Sequence, residues 1–265
     1  MDCKNCHKPL NDIQKFCDDC GAKVIQNRLK PKILAQQVNE EFLSVDNKFL
    51  KTLIHLFTKP ELVINGYIEG TRKKYINVIQ YFAIALTLLG IQVFFMSSVF
   101  TDPELYRFEF MDNLTKGTNQ DNNPFGAQSF EQMNSFQSLA NTIGVPFSAI
   151  ATFIAYWVAG LRQFNFTEHL VINLYYGAQI VIISALIYII SLAFGFNYFG
   201  TSLYITVLTY IYFFYVLKRV FQTTFRNTVL PFIIVIAASV FIFLALTIFI
   251  TIIAFIGVLI YKISQ

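Results

Sequence analysis

Four cysteines near the N-terminal end are the residues whose type and spacing best suit a chemical role. They form two pairs of the pattern C-x2-C, Cys3 with Cys6 and Cys17 with Cys20. A tight turn in each pair points two thiolates at one spot, so two pairs can complete a tetrahedral zinc site. Because four thiolates leave no open position on the metal, we expect one structural zinc ion rather than a catalytic one. The alternatives are two disulfides, which a reducing cytoplasm disfavours, and a redox dithiol, which needs only one pair.

Three neighbours of the cysteines refine this prediction. Gly21 follows the second pair, where the turn favours a residue that can adopt a positive φ. Phe16, beside Cys17, is predicted to contribute to a small apolar core. His7 adjoins Cys6, but we expect it to be solvated, because the four thiolates already fill the coordination shell.

The rest of the chain has the composition of a membrane protein. Of the 265 residues, 55% are apolar and only 14% are charged, whereas roughly a quarter of the residues in soluble proteins are charged. No apolar segment of the signal-peptide type follows Met1, so we expect insertion to use the first membrane span. The sequence contains no Walker, Rossmann, HExxH or GxSxG motif.

Five apolar stretches are long enough to cross a bilayer, since about 20 helical residues span a hydrocarbon core of about 30 Å. They cover residues 76–100, 143–161, 170–194, 198–217 and 228–260. The last stretch is longer than a bilayer requires, so it must tilt, bend or extend beyond the membrane. The predicted fold class is therefore all-α: a polytopic bundle of about five transmembrane helices, headed by a small four-cysteine zinc ribbon.

The distribution of Lys and Arg beside the spans predicts their orientation. Basic residues precede span 1, follow span 2 and separate spans 4 and 5, whereas loop 101–138 holds two basic and six acidic residues. This pattern predicts a cytoplasmic N-terminus, an extracytoplasmic loop 101–138 and an extracytoplasmic C-terminus in the bacterial cytoplasmic membrane. The cysteines indicate the same orientation, because thiols stay reduced in the cytoplasm.

Residues 25–74 are predicted to be a cytoplasmic linker with interfacial helices. A short helix at 32–43 is plausible, and Asp46 is a good N-cap for the amphipathic stretch that follows it. Pro60 suits the first turn of a second helix, and Glu61 complements the dipole of that helix. Such helices either lie in the headgroup layer or pack against the cytoplasmic end of the bundle, and the sequence leaves both open.

Polar residues of the spans are predicted to join helices by hydrogen bonds, because no ionisable residue is evident in mid-membrane. The uncharged ones are Asn77, Gln80, Gln92, Asn173 and Gln179. Near the cytoplasmic ends of the spans we predict a cytoplasmic rim that attracts anionic headgroups, although positive-inside bias explains much of its charge. Its candidate residues are Arg72, Lys73, Lys74, Tyr75, Arg162, Glu168, His169, Asn173, Arg219 and Arg226.

These segments also resemble known families. Residues 3–23 resemble the short zinc ribbons that head many bacterial membrane proteins, and residues 46–52, 56–61 and 63–75 resemble the family known as domain of unknown function 3667. That resemblance implies a zinc-ribbon multispanning protein without an established activity. Five spans with a cytoplasmic N-terminus are also similar to the topology of the Yip family of trafficking proteins, which is a fold-level analogy. The predicted domains are a zinc ribbon (1–24), the linker (25–74) and the membrane domain (75–265).

Three functions are compatible with the sequence. The first is a non-enzymatic adaptor or scaffold, whose ribbon recruits a cytoplasmic protein while the bundle binds lipid or another membrane protein, with no nucleic-acid partner. The second is a transporter or channel for a lipid-like or small uncharged solute, which would use Asn77, Gln80, Asn173 and Gln179. The third is a lipid-modifying enzyme with Glu168 and His169 as acid and base. The closed metal site and the lack of a catalytic constellation favour the adaptor.

Overall fold

The structure, a computed structural model, describes residues 2–11, 13–22, 24, 32, 48–71, 73–107 and 137–263. For residues 137–140, 249–250 and 252–263 it describes the helical backbone alone. The chain divides into two compact units, Met1–Asn47 and Lys48–Gln265. The predicted helix at 32–43 and the predicted N-cap Asp46 lie outside the described residues.

The described residues form seven α-helices, one short 3₁₀ turn at Pro103–Tyr106 and no β-strand. Two short helices come first and form a hairpin: α1 (Lys48–Thr58) and α2 (Pro60–Ile68). Five longer helices follow: α3 (Val78–Ser98), α4 (Gln137–Val158), α5 (Phe166–Ala193), α6 (Tyr198–Val220) and α7 (Phe225–Ile263). The all-α prediction is confirmed for this part of the chain.

Five helices in the described residues are long and apolar enough to cross a membrane, as predicted. Their candidate spans are Val78–Ser98, Asn141–Val158, Phe166–Ala193, Tyr198–Val220 and Phe225–Ile248. The predicted stretch 228–260 lies within one helix of 39 residues, about 58 Å at 1.5 Å per residue. Pro231 lies in the second turn of this helix without ending it.

Asparagine residues form the N-caps of three of the spans. The Asn77 side chain accepts from the Ile79 amide at the start of α3, and that of Asn197 accepts from the Gly200 amide at the start of α6. At the start of α5, Asn165 and Glu168 form a reciprocal capping box. This box provides hydrogen-bond partners for two backbone amides at the start of the helix. The helix α5 therefore begins at Phe166, four residues before the start of the predicted span 170–194.

Helix α5 lies at the centre of the bundle, in contact with α3, α4 and α6, while α7 packs against α4 and α6. Six of the seven buried residues of α3 recur at alternating spacings of four and three, the pattern of a helix with one packed seam, and Tyr81 lies beside that seam. This seam consists of Val78, Phe82, Ala85, Leu89, Gln92 and Met96. α5 is the most buried of the five spans and α7 is the least buried.

Candidate functional site

The two cysteine pairs lie in turns with the same hydrogen bonds. The carbonyl of Cys3 accepts from the His7 amide at 2.8 Å, and that of Cys17 accepts from the Gly21 amide at 3.0 Å. The amides of Cys3 and Cys17 in turn donate to the carbonyls five residues later, both at 2.8 Å. Segments 3–8 and 17–22 are therefore two copies of one local structure. Each copy presents its two thiols to the same point.

The four thiols fit a tetrahedral metal site. All four Sγ atoms lie within 4.8 Å of one another. The Cys3–Cys20 and Cys6–Cys17 separations are 3.6 Å. A tetrahedron with Zn–S bonds of about 2.3 Å has S–S edges of about 3.8 Å, whereas disulfide sulfurs lie about 2.05 Å apart. The cysteines are free thiols in this structure, so the geometry favours a metal site over two disulfides.

The neighbours of the cysteines follow the predictions in part. Gly21 has a φ of +67° and His7, at the equivalent position of the first turn, has a φ of +60°. The His7 side chain is exposed, as expected for a solvated residue. Phe16 was predicted in the small core, but it is 49% exposed, and the buried apolar residue beside Cys3 and Cys17 is Leu10. Leu10 lies on the link between the two turns, where it covers both cysteines.

The α1–α2 hairpin is fastened to the bundle through the end of α1. Pro60 has no amide hydrogen, so the carbonyl of Leu56, four residues earlier, lacks its usual helical donor. The Tyr212 hydroxyl of α6 donates to this carbonyl at 2.9 Å, and the Tyr215 hydroxyl donates to the Thr58 carbonyl at 2.8 Å. Two tyrosines of a distant span thus supply the C-terminal cap of α1.

Three further contacts hold the hairpin on the bundle. The side-chain amide of Gln179 in α5 donates to the Leu53 carbonyl at 3.1 Å. The side-chain amide of Asn65 in α2 donates to the Val220 carbonyl at the end of α6, at 3.0 Å. Arg219 forms an ion pair with Glu61 through two hydrogen bonds. Of the two alternatives left open by the sequence, the described structure shows packing against the bundle.

Helix α1 nevertheless has two further faces. At 100° per residue its side chains divide into three stripes around the helix axis. Thr52 and Leu56 are buried against the bundle, with Phe49 and Leu53 beside them. A second stripe is apolar and exposed, and a third is basic and half-exposed. The apolar stripe comprises Leu50, Ile54 and Phe57, and the basic stripe comprises Lys48, Lys51 and His55.

His55 lies where this basic stripe meets the connection to α3. Its Nδ1 atom is 2.7 Å from the hydroxyl of Tyr75. Burial, and then the positive charges of Lys51, Lys74 and Lys59, hold the pKa of His55 below its usual value of 6.5. The imidazole is therefore mainly neutral at pH 7, and the positive charge of this region comes from the lysines.

The basic residues of the predicted rim lie in connections, or in the helix turns next to them, at one end of the bundle. Lys73, Lys74, Arg162 and Arg226 are exposed, and Arg162 stacks 4.7 Å from the centre of the Trp157 ring. Arg219 is also at this end, although its charge is paired with Glu61 as described above. Arg72 lies outside the described residues.

Three of the predicted rim residues are buried, so they do not lie on a surface that lipid headgroups could contact. Tyr75 is 4% exposed, and His169 and Asn173 are each 1% exposed. These side chains face neighbouring helices because their polar groups find partners there. Glu168 is half-buried and serves in the capping box of α5.

His169 is enclosed between α4 and the loops beside it. Its Nδ1 lies 3.1 Å from the Thr152 hydroxyl, which also accepts from the Asn173 side-chain amide at 2.9 Å. The Ser148 hydroxyl donates to the Asn173 side-chain oxygen at 2.6 Å. Four aromatic rings surround the imidazole, with centroids 5.5 to 6.5 Å away: Phe153, Tyr156, Phe164 and Phe221. The polar groups of this cluster join α4 to α5.

The other polar residues of the spans also bind within the protein where they are buried. Gln179 accepts from the Tyr81 hydroxyl of α3 in addition to its bond to α1, and Gln92 donates to the Met96 sulfur at 3.3 Å. Asn77 caps α3, whereas Gln80 is exposed. The expected role in joining helices is therefore met by Gln179 and Asn173. Sequence reasoning missed their partners Tyr81 and Thr152. The sequence shows only that these two residues carry hydroxyl groups, which does not identify the residues they contact.

Comparison with known proteins yields one match. Residues 46–90 match the family model described as protein of unknown function (DUF3667). Comparison with curated proteins gives no match, and comparison with solved structures gives none. The matched residues include the α1–α2 hairpin and residues 78–90 of α3. The match covers 45 of the 265 residues, and the clustered N-terminal cysteines and the five apolar helices agree with the predicted resemblance to this family.

Proposed function

We propose that this protein is a non-enzymatic membrane adaptor. Its N-terminal cysteines hold one zinc ion, the resulting ribbon recruits a cytoplasmic protein, and the helix bundle binds membrane lipid. The observation that carries the proposal is the closed set of four thiols within 4.8 Å of one another. A metal with four thiolate ligands stabilises a fold and offers no position for a substrate, so the ribbon suits binding rather than catalysis.

The geometry of Glu168 and His169 supports the same proposal over a lipid-modifying enzyme. The Glu168 carboxylate accepts from the Asn165 amide at 2.7 Å and so belongs to a helix cap. His169 is 1% exposed and surrounded by aromatic rings. An acid–base pair must come within hydrogen-bond distance of its substrate, but Glu168 is engaged in the helix cap and His169 in packing.

The proposed orientation places the zinc ribbon and the α1–α2 hairpin on the cytoplasmic side of the bacterial cytoplasmic membrane. The basic residues at one end of the bundle support it through the positive-inside rule. Cysteine labelling would test it on a background whose ribbon thiols are protected by metal. A cysteine at Gln120 should label from outside, and one at Thr224 only after permeabilisation. The opposite pattern would contradict the orientation.

Capture of a partner would test the adaptor role. We would compare the wild-type chain, the Cys17→Ser variant and the His7→Ala variant as baits in the same solubilised membranes. Cys17 is a predicted ligand, whereas His7 is an exposed neighbour. We expect a protein that wild type and His7→Ala retain and Cys17→Ser loses. Equal capture by all three baits would contradict recruitment by the ribbon.

The exposed basic connection would be tested separately by Lys73→Ala combined with Lys74→Ala. If this segment attracts anionic headgroups at about 1 kcal/mol per residue, liposome binding should weaken by roughly 30-fold for the pair. Lys4→Ala with Lys15→Ala removes two charges from the ribbon instead and serves as the matched control. Equal weakening by the two double variants would reject a specific role for the connection.

A further inference from the structure

A crevice between α5 and α6 is a feature of the bundle surface that the proposed function does not yet use. Its volume is about 470 Å³, within the range of roughly 300 to 1,000 Å³ for ligand pockets. One wall includes Ile183 and Ile187 of α5, and the other includes Leu208 and Ile211 of α6. Phe57 of α1 also lines it. The crevice therefore opens along two candidate membrane spans and meets the hairpin.

Three of the four hydroxyl groups along this crevice donate to backbone carbonyls. Ser184 donates to the Val181 carbonyl at 3.2 Å, and Tyr212 and Tyr215 donate to the end of α1 as described above. The crevice consequently presents an apolar surface. A polar solute would lose its hydrogen bonds to water on entering it without gaining replacements, whereas an alkyl chain would lose none.

Two cationic side chains follow the crevice on the same face of α6. The α6 face that carries Leu208, Ile211 and Tyr215 continues three and four residues later to Lys218 and Arg219. Arg219 is paired with Glu61, while Lys218 is half-exposed and forms no ion pair within the described residues. Lysine side chains can lie along apolar surface with the ammonium group at the polar boundary. An apolar crevice with a lysine one helical turn beyond its last lining residue matches an anionic amphiphile.

We propose that this crevice binds one acyl chain of an anionic phospholipid, whose phosphate lies near Lys218. The proposal deepens the lipid-binding part of the proposed function and is independent of recruitment by the ribbon. Because Phe57 lines the crevice and belongs to the hairpin, the bound chain would contact α1, α5 and α6 together. Lipid binding would thereby help to hold the hairpin on the bundle.

Native mass spectrometry of the full chain in mild detergent would test this proposal. The chain would be supplied with equal amounts of phosphatidylglycerol and phosphatidylcholine of the same acyl length. We expect wild type to retain one phosphatidylglycerol molecule. Leu208→Trp should reduce retention by about tenfold, the loss expected when about two methylene groups lose apolar contact.

Leu203→Trp is the matched control on the same helix. Leu203 is 62% exposed and Leu208 is 60% exposed, but Leu203 does not line the crevice. Ile187→Trp on the α5 wall, with Ile190→Trp as its control, repeats the comparison if Leu208→Trp elutes as an aggregate. Lys218→Gln should keep a lipid bound but abolish the preference for phosphatidylglycerol.

Equal retention by each crevice variant and its control would overturn the proposal, as would equal retention of both lipids by wild type. Capture of the cytoplasmic partner is measured on the same variants. Loss of lipid with normal capture would support the crevice site. Loss of capture in Cys17→Ser with normal lipid retention would concern the ribbon alone, so the two proposals can fail separately.

Discussion

Replacing Tyr212 by Phe should loosen the α1–α2 hairpin without unfolding the bundle. The substitution removes one hydroxyl and keeps the ring that packs 5.4 Å from the ring of Phe57. That hydroxyl is the donor to the Leu56 carbonyl, which has no helical donor because residue 60 is proline. Leu56 is 0% exposed, so water cannot readily replace the lost donor.

The expected cost follows from this burial. Leaving a buried acceptor without a partner costs about 1 to 3 kcal/mol, which corresponds to about 5-fold to about 150-fold in the opening equilibrium of the hairpin. Tyr215→Phe removes a similar bond to the Thr58 carbonyl. Thr58 is exposed and can bond to water instead, so we expect a cost near 0.5 kcal/mol, or about twofold.

Hydrogen exchange of the backbone amides in residues 48–68 would measure these changes. Tyr210→Phe is the control, because Tyr210 lies on the same helix and is 50% exposed. The exchange rates should rank Tyr212→Phe above Tyr215→Phe, and Tyr215→Phe above the control. The amides of α5 should exchange as in wild type, since its own helical bonds are unchanged.

Equal exchange in the Tyr212→Phe and Tyr210→Phe variants would refute this reasoning. It would mean that the Leu56 carbonyl has another partner, or that packing alone holds the hairpin. Faster exchange throughout α5 would contradict the expectation that the hairpin opens by itself, because the hairpin and the bundle would then open as one unit.

Three further outcomes are expected. Metal analysis should find about one zinc ion per chain, lost in Cys17→Ser and kept in His7→Ala; a metal-free wild type with two disulfides would reject the site. His7→Gly should strengthen zinc binding and Gly21→Ala should weaken it, each by roughly fivefold in chelator competition. The reason is that a non-glycine residue at positive φ costs about 1 kcal/mol; opposite signs would contradict the equivalence of the two turns. Lowering the pH below about 6.5 should destabilise the hairpin, since burial and three lysines depress the pKa of His55 in the folded state. The unfolded hairpin then binds more protons, so stability is lost as pH falls. Exchange corrected for its intrinsic pH dependence should show this loss in wild type and not in His55→Gln.

Much of the architecture could be predicted because its signals are local. The spacing of Cys3, Cys6, Cys17 and Cys20 predicts a four-thiol cluster, since a C-x2-C turn by itself points two thiols together. Hydropathy likewise predicts five spans, because each must be apolar along about 20 residues whatever its neighbours are. The positive φ of Gly21 follows from the same local geometry.

The partners of polar groups could not be predicted in this way. His169 and Asn173 were assigned to a headgroup-binding rim from their position near the start of a span, and the structure buries both. Asn173 meets its other predicted role, that of joining helices. Their burial depends on Thr152 and Ser148, which lie on another helix about 20 residues away in the chain. Nothing in the residues around His169 specifies the side of α5 against which α4 packs.

The sequence by itself determined the elements of this protein: a cysteine cluster with two turns, two short helices that meet at Pro60, and five apolar helices. Only the tertiary structure decided what completes them. The Leu56 carbonyl loses its donor for a local reason, but the replacement comes from Tyr212, 156 residues further along the chain. Helix formation and hydropathy act within one segment, whereas hydrogen bonds between segments depend on which helix faces meet in the folded bundle.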